Sequence, residues 1–287
     1  MEQKTGKVKA LLFVALAIIV FFVVLTIGQC IILIPAMVKA AIEEGLTDGA
    51  SLMEYMYQKE GVMANAQFVG EVLSVTVMAI WYYFGFVKKE KKAGTYEPVV
   101  KKFSDKFNIL FALLLFLAGT SLVYVLYWIM GLVIPSEVEN LSNMIGGMDD
   151  NALGLIAVVI GAPLSEELTL RGVAMKKTKQ AFGIIGCMIM SCICFGVVHG
   201  NIVQGIYTIP LGLIFGYVAY KFNSVIPTIF GHALHNGLGG YVYDKIGVAG
   251  MAVILVVSCV GLFLVIPKAQ ICEKSKKDPK IDLEKEL

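Results

Sequence analysis

The chain has 287 residues, 57% of them hydrophobic and 16% charged, with a mean hydropathy of +0.77 and a formal net charge of +2. That composition excludes a soluble domain of this size, and so small a net charge excludes a nucleic-acid partner. What remains is an all-α polytopic transmembrane helix bundle, because open strand edges cannot stand in hydrocarbon.

Apolar runs of spanning length, about 20 residues each, are read in chain order at 11–34, 62–87, 107–134, 152–174, 182–199, 202–220, 225–243 and 247–266. This predicts eight spans. The first follows a Lys-rich start, yet its apolar core exceeds the roughly 7 to 15 residues of a signal peptide, so it is read as a retained span. Residues 35–61, with Glu43, Glu44, Asp48, Glu54 and Glu60, are expected to form an external amphipathic segment. The first two spans hold only Gln29, Gln67 and Glu71 as polar candidates and read as scaffold. A charged connector at 88–106 contains Gly94 and Pro98. The six cysteines form no CxxC pair and read as small apolar residues.

Three segments result: 1–150 with three amino-terminal spans, 151–267 with the chemistry, and 268–287 as a polar cytoplasmic tail expected to be poorly ordered. Lys and Arg divide 21 to 3 between alternate sets of loops, which places both termini in the cytoplasm. The short, lysine-rich loops suggest a multi-pass protein of a bacterial cell membrane.

All three histidines lie between 199 and 235 in apolar sequence, about thirty residues after Glu166, Glu167 and Arg171. An ionisable group at the bilayer centre costs about 2.5 to 3.5 kcal/mol on insertion scales, so such a gathering points to a reaction site. Glu167 and Arg171 are four apart on one helix face, in the order that favours an ion pair, while Glu166 lies about 100° away around the helix. The spacing gives Glu167 a structural part and Glu166 a chemical one. Phe195 stands one turn before His199 and can pack beneath its ring. His232 and Asn236 share a face, and a histidine with an amide can supply two donors to an oxyanion or a ligand with its supporting partner. His235 is the geometric competitor of Asn236.

Depth sets a condition on this site. Glu166 and His232 lie about 15 Å from the cytoplasmic boundary, but His199 lies about 27 Å deep unless its helix begins near Gly186 and tilts.

The order EExxxR (Glu166 to Arg171), FxxxH (Phe195 to His199) and HxxxN (His232 to Asn236) over about residues 150–245 resembles the CPBP family of CAAX proteases and bacteriocin-processing enzymes. The resemblance implies an intramembrane endopeptidase acting on a membrane-associated peptide or protein. It also implies that Glu166 activates water with help from His199, that His232 and Asn236 bind the oxyanion, and that Glu167 and Arg171 hold the helix, with Phe195 beside the site. Two readings of the water stay open: activation by glutamate, or binding to a divalent metal such as Zn2+ held by Glu166, His199 and His232. No HExxH motif occurs. The competing function is a non-catalytic immunity or peptide-binding protein using the same polar cluster. A proton or ion carrier comes third, disfavoured because no internal repeat is visible.

Overall fold

The computed structural model describes residues 6–145 and 151–272, and among them the backbone is helical with no strand. Helix α1 spans Lys7–Glu43, 37 residues, or about 55 Å at 1.5 Å per residue, well beyond a hydrocarbon core of about 30 Å. It runs through Pro35, so residues 35–43, the start of the expected external segment, are helical and continuous with the first span. Short α2 (Gly49–Gln58) follows, capped by Asp48, whose carboxylate accepts from the Ser51 amide at 2.9 Å. Hydrogen bonding from Ser51 holds the Asp48 carboxyl below the usual carboxylate range.

Helix α3 (Val62–Lys92) packs along α1, and α4 (Lys106–Val133) leads into α5 (Pro135–Ile145). The carboxy-terminal half comprises α6 (Ala152–His199), α7 (Ile202–Phe222) and α8 (Ile226–Val265). Two of these are broken by glycines in a backbone region closed to other residues: Gly183 has φ 67° and ψ −160°, and Gly247 has φ 63° and ψ −172°. The breaks split α6 into α6a (152–182) and α6b (184–199), and α8 into α8a (226–246) and α8b (248–265).

Six helical runs among the described residues are long and apolar enough to cross a membrane. The two glycine breaks fall next to boundaries the sequence assigns between separate spans, 174–182 and 243–247. Eight spans and two cytoplasmic termini make a definite expectation for labelling. Cysteines placed singly at Gly94 and at Ser142, in a background lacking the native thiols, should react with impermeant reagent from opposite faces. Labelling of both from one face would remove the topology. Arg171, counted with the cytoplasmic charges, is in fact only 2% exposed inside the bundle, which leaves the charge bias essentially unchanged.

α8 packs against α4, and α6b against α7. At that second seam a Cβ on Gly212 would stand 2.6 Å from the Cys192 Cα, so glycine there lets the backbones touch. Phe111, Phe116, Phe195, Phe215 and Phe222 fill the core between them, each at most 3% exposed. The first residues of the expected tail are not loose. Gln270 and Ile271 donate backbone N–H groups to Asp105 and Asn108, at 3.3 and 3.0 Å, and Ala269 and Ile271 are buried. The rest of the tail, 273–287, lies outside the described residues, as does 146–150.

Candidate active site

The two adjacent carboxylates sit on a short α-helical piece of α6a, Ala162–Glu167, between two π-helical segments, Ala157–Gly161 and Leu168–Ala174. Such widened turns frequently mark functional positions. The first has a cause in the sequence. The Ala162 N–H bonds five residues back to Ala157, and in that register the next donor would be Pro163, which has no N–H. The Val158 carbonyl therefore loses its backbone partner, and the Asn236 side-chain amide donates to it at 2.9 Å. One of the two Asn236 amide protons is thus committed to holding α8a against α6a.

Glu167 and Arg171 form a fully buried pair. The guanidinium Nη1 donates to Glu167 Oε1 at 2.7 Å, and Nε donates to the Ser191 hydroxyl at 2.9 Å. Ser191 in turn donates to the Gly212 carbonyl at 2.9 Å. The guanidinium also lies 4.7 Å from the Phe195 ring centroid and 5.2 Å from that of Phe215. One side chain of α6a thereby engages both α6b and α7.

His232, 3% exposed, places Nδ1 3.1 Å from the same Glu167 oxygen. Facing a carboxylate that is already paired to arginine, Nδ1 is the donor, and Nε2 is directed elsewhere. His199 places Nδ1 2.7 Å from the Phe195 carbonyl. A carbonyl only accepts, so this nitrogen carries the proton, and in the neutral ring Nε2 is the free acceptor. The phenyl ring of Phe195 stands between the histidines, edge-to-face with both, its centroid 4.9 Å from His199 and 5.3 Å from His232. α6b restarts at Gly183 rather than at Gly186, and a single ring links the two imidazoles.

Glu166 is half-buried, and its Oε2 is shielded from solvent with no hydrogen-bond partner among the described residues. It is an acceptor held ready for a donor. The Nδ1 of His235 lies 3.2 Å from the Thr120 hydroxyl, and its ring stands beside Tyr124, centroids 5.9 Å apart.

The donor set does not favour a metal. Among the described residues no three His, Cys, Asp or Glu side chains are gathered so as to hold an ion. The triad of Glu166, His199 and His232 that the sequence offers as a metal site is not gathered in that way among the described residues.

One group at this level falls outside the sequence-derived site. Glu71 on α3, within a span read as scaffold, lies 2.6 Å from the Ser165 hydroxyl next to Glu166. The available signal is a carboxylate in the middle of an otherwise apolar run.

Residues 149–238 match the family model described as type II CAAX prenyl endopeptidase, Rce1-like. The matched segment holds Glu166, Glu167, Arg171, Phe195, His199, His232 and Asn236. No curated protein and no solved structure matches the chain.

Proposed function

We propose, from the CAAX-protease family assignment that residues 149–238 support, that this integral membrane protein is an endopeptidase hydrolysing a membrane-associated peptide or protein with a water activated by Glu166. The observation that carries this reading is the Glu166 carboxylate oxygen, shielded and without a partner, in the same motif cluster as two imidazoles whose Nδ1 atoms are fixed. A carboxylate so placed takes a proton from water as the water oxygen bonds to the scissile carbonyl carbon. The His199 Nε2 lone pair accepts the second water proton in a hydrogen bond and sets the orientation of attack.

The carbonyl oxygen becomes an oxyanion in that step. His232 serves it through Nε2–H, which requires the imidazolium form, and Glu167 faces that charge from 3.1 Å. The free proton of the Asn236 amide supplies a second donor. Collapse of the tetrahedral intermediate breaks the C–N bond, and the proton held by Glu166 passes to the departing amine. Comparative peptidomics of membranes carrying wild type and Glu166→Gln tests the function. Peptides that accumulate uncleaved only in the variant are expected; identical peptide sets would overturn the reading.

Asn236 has two duties in this scheme, and they separate experimentally. Asn236→Ala should lower kcat by about 10²- to 10³-fold through the lost oxyanion donor. It should also cost about 1 to 3 kcal/mol of stability through the orphaned Val158 carbonyl. Turnover per folded molecule and the thermal midpoint read the two effects independently. A fall in stability with unchanged kcat would confine Asn236 to the bracing contact.

A further inference from the structure

The Ser165 hydroxyl makes two short contacts while owning one proton. It lies 2.6 Å from Glu71 Oε2 and 3.1 Å from the Ala162 carbonyl oxygen. The carbonyl can only accept, and the serine can give it its proton while accepting from Glu71 through the shorter contact. In that arrangement the carboxyl supplies the proton between Glu71 and Ser165. None of the ion pairs among the described residues includes Glu71, although it is only 2% exposed. A buried, unpaired carboxylate in a bilayer is far more costly than a carboxyl that donates. The other oxygen accepts from Gln67 Nε2 at 2.8 Å, and Gln67 Oε1 accepts from Gln29 Nε2 at 2.8 Å. A single polar chain thus joins α1, α3 and α6a through apolar surroundings.

Its end point is the segment that carries Glu166. Ser165 is wholly buried. A Cβ on Gly161, at the close of the π-helical turn, would stand 2.8 Å from the Glu71 Cβ, so the Glu71 stem packs directly on the backbone there. α3 therefore touches both ends of the short helical piece, at Gly161 and at Ser165.

We propose that Glu71 is a positioning residue that acts as a neutral hydrogen-bond donor to Ser165, fixing the rotational setting of Glu166 from outside the matched segment. The catalytic half of this inference rests on the hydrolytic reading of Glu166; the protonated donor does not. Glutamine can replace a neutral carboxyl here, since its amide donates to Ser165 and its carbonyl accepts from Gln67. Leucine can do neither.

The test uses the full chain reconstituted in lipid. Glu71→Gln should keep turnover near the wild-type value. Glu71→Leu should lower kcat by about 10²-fold, the scale of a misplacement of about 1 Å, with KM little changed. Ser165→Ala, a small change that does not depend on Glu71→Leu folding, should lower kcat in the same sense. Infrared difference spectra supply a readout independent of turnover. A protonated-carboxyl C=O band should be present in wild type, absent in Glu71→Gln and displaced in Ser165→Ala. Glu71→Gln as inactive as Glu71→Leu, or no carboxyl band lost in Glu71→Gln, would overturn the proposal. Absence of proteolysis in wild type with the band pattern intact would instead remove the hydrolytic reading and leave the neutral donor standing.

Discussion

Glu166→Gln is expected to eliminate measurable turnover while the protein remains folded and still binds peptide. Removing a general base costs about 10²- to 10⁴-fold, and here the same group also returns the proton to the leaving amine, which places the expected loss at the upper end. The amide is nearly isosteric with the carboxylate. Because Glu166 Oε2 has no hydrogen-bond partner among the described residues, its replacement by an amide breaks no hydrogen bond at that atom. The neighbouring carboxylate responds differently to the same change. Glu167 Oε1 accepts from Arg171 and from His232, so Glu167→Gln should reduce stability together with activity. A fluorogenic peptide built on the accumulating substrate, assayed per monodisperse molecule, measures both variants. Wild-type turnover in Glu166→Gln would refute water activation by this carboxylate.

The features legible in the sequence are those that repeat at the helical period. Glu167 and Arg171, or Phe195 and His199, are four residues apart, and four residues on a helix make neighbours whatever the tertiary fold. The apolar runs likewise announce an all-helical membrane protein. Contacts that depend on register between helices were beyond reach. The Asn236 amide meets the Val158 carbonyl only because Pro163 and a π-helical turn orphan that carbonyl; the proline was visible, the register was not. Glu71 and Ser165 are 94 positions apart, and nothing in either local sequence names the other. The first helix continues past the apolar span, through Pro35 and Lys39 to Glu43, into sequence read as external. A helix and its membrane-embedded part need not end together.

Arg171→Ala should have the largest effect on folding of any single change considered. The guanidinium is 2% exposed and holds Glu167, Ser191 and the faces of Phe195 and Phe215 at once. Its loss leaves a fully buried carboxylate without its cation, a defect of about 3 to 5 kcal/mol, comparable with much of the stability of an ordinary domain. It also creates a cavity between α6a, α6b and α7. The damage should extend to the site, since Glu167 is the group that fixes His232. Arg171→Lys should rescue only in part: an ammonium can reach Glu167 but cannot reproduce the fork that also meets Ser191 or the flat stacking on two phenyl rings. Arg171→Met combined with Glu167→Gln removes both charges and should recover more folded protein than Arg171→Ala alone, because no unpaired buried ion remains, while activity stays low for want of the His232 partner. The monodisperse fraction after extraction and the thermal midpoint order the variants. An unchanged midpoint in Arg171→Ala would mean that the buried pair does not brace the bundle.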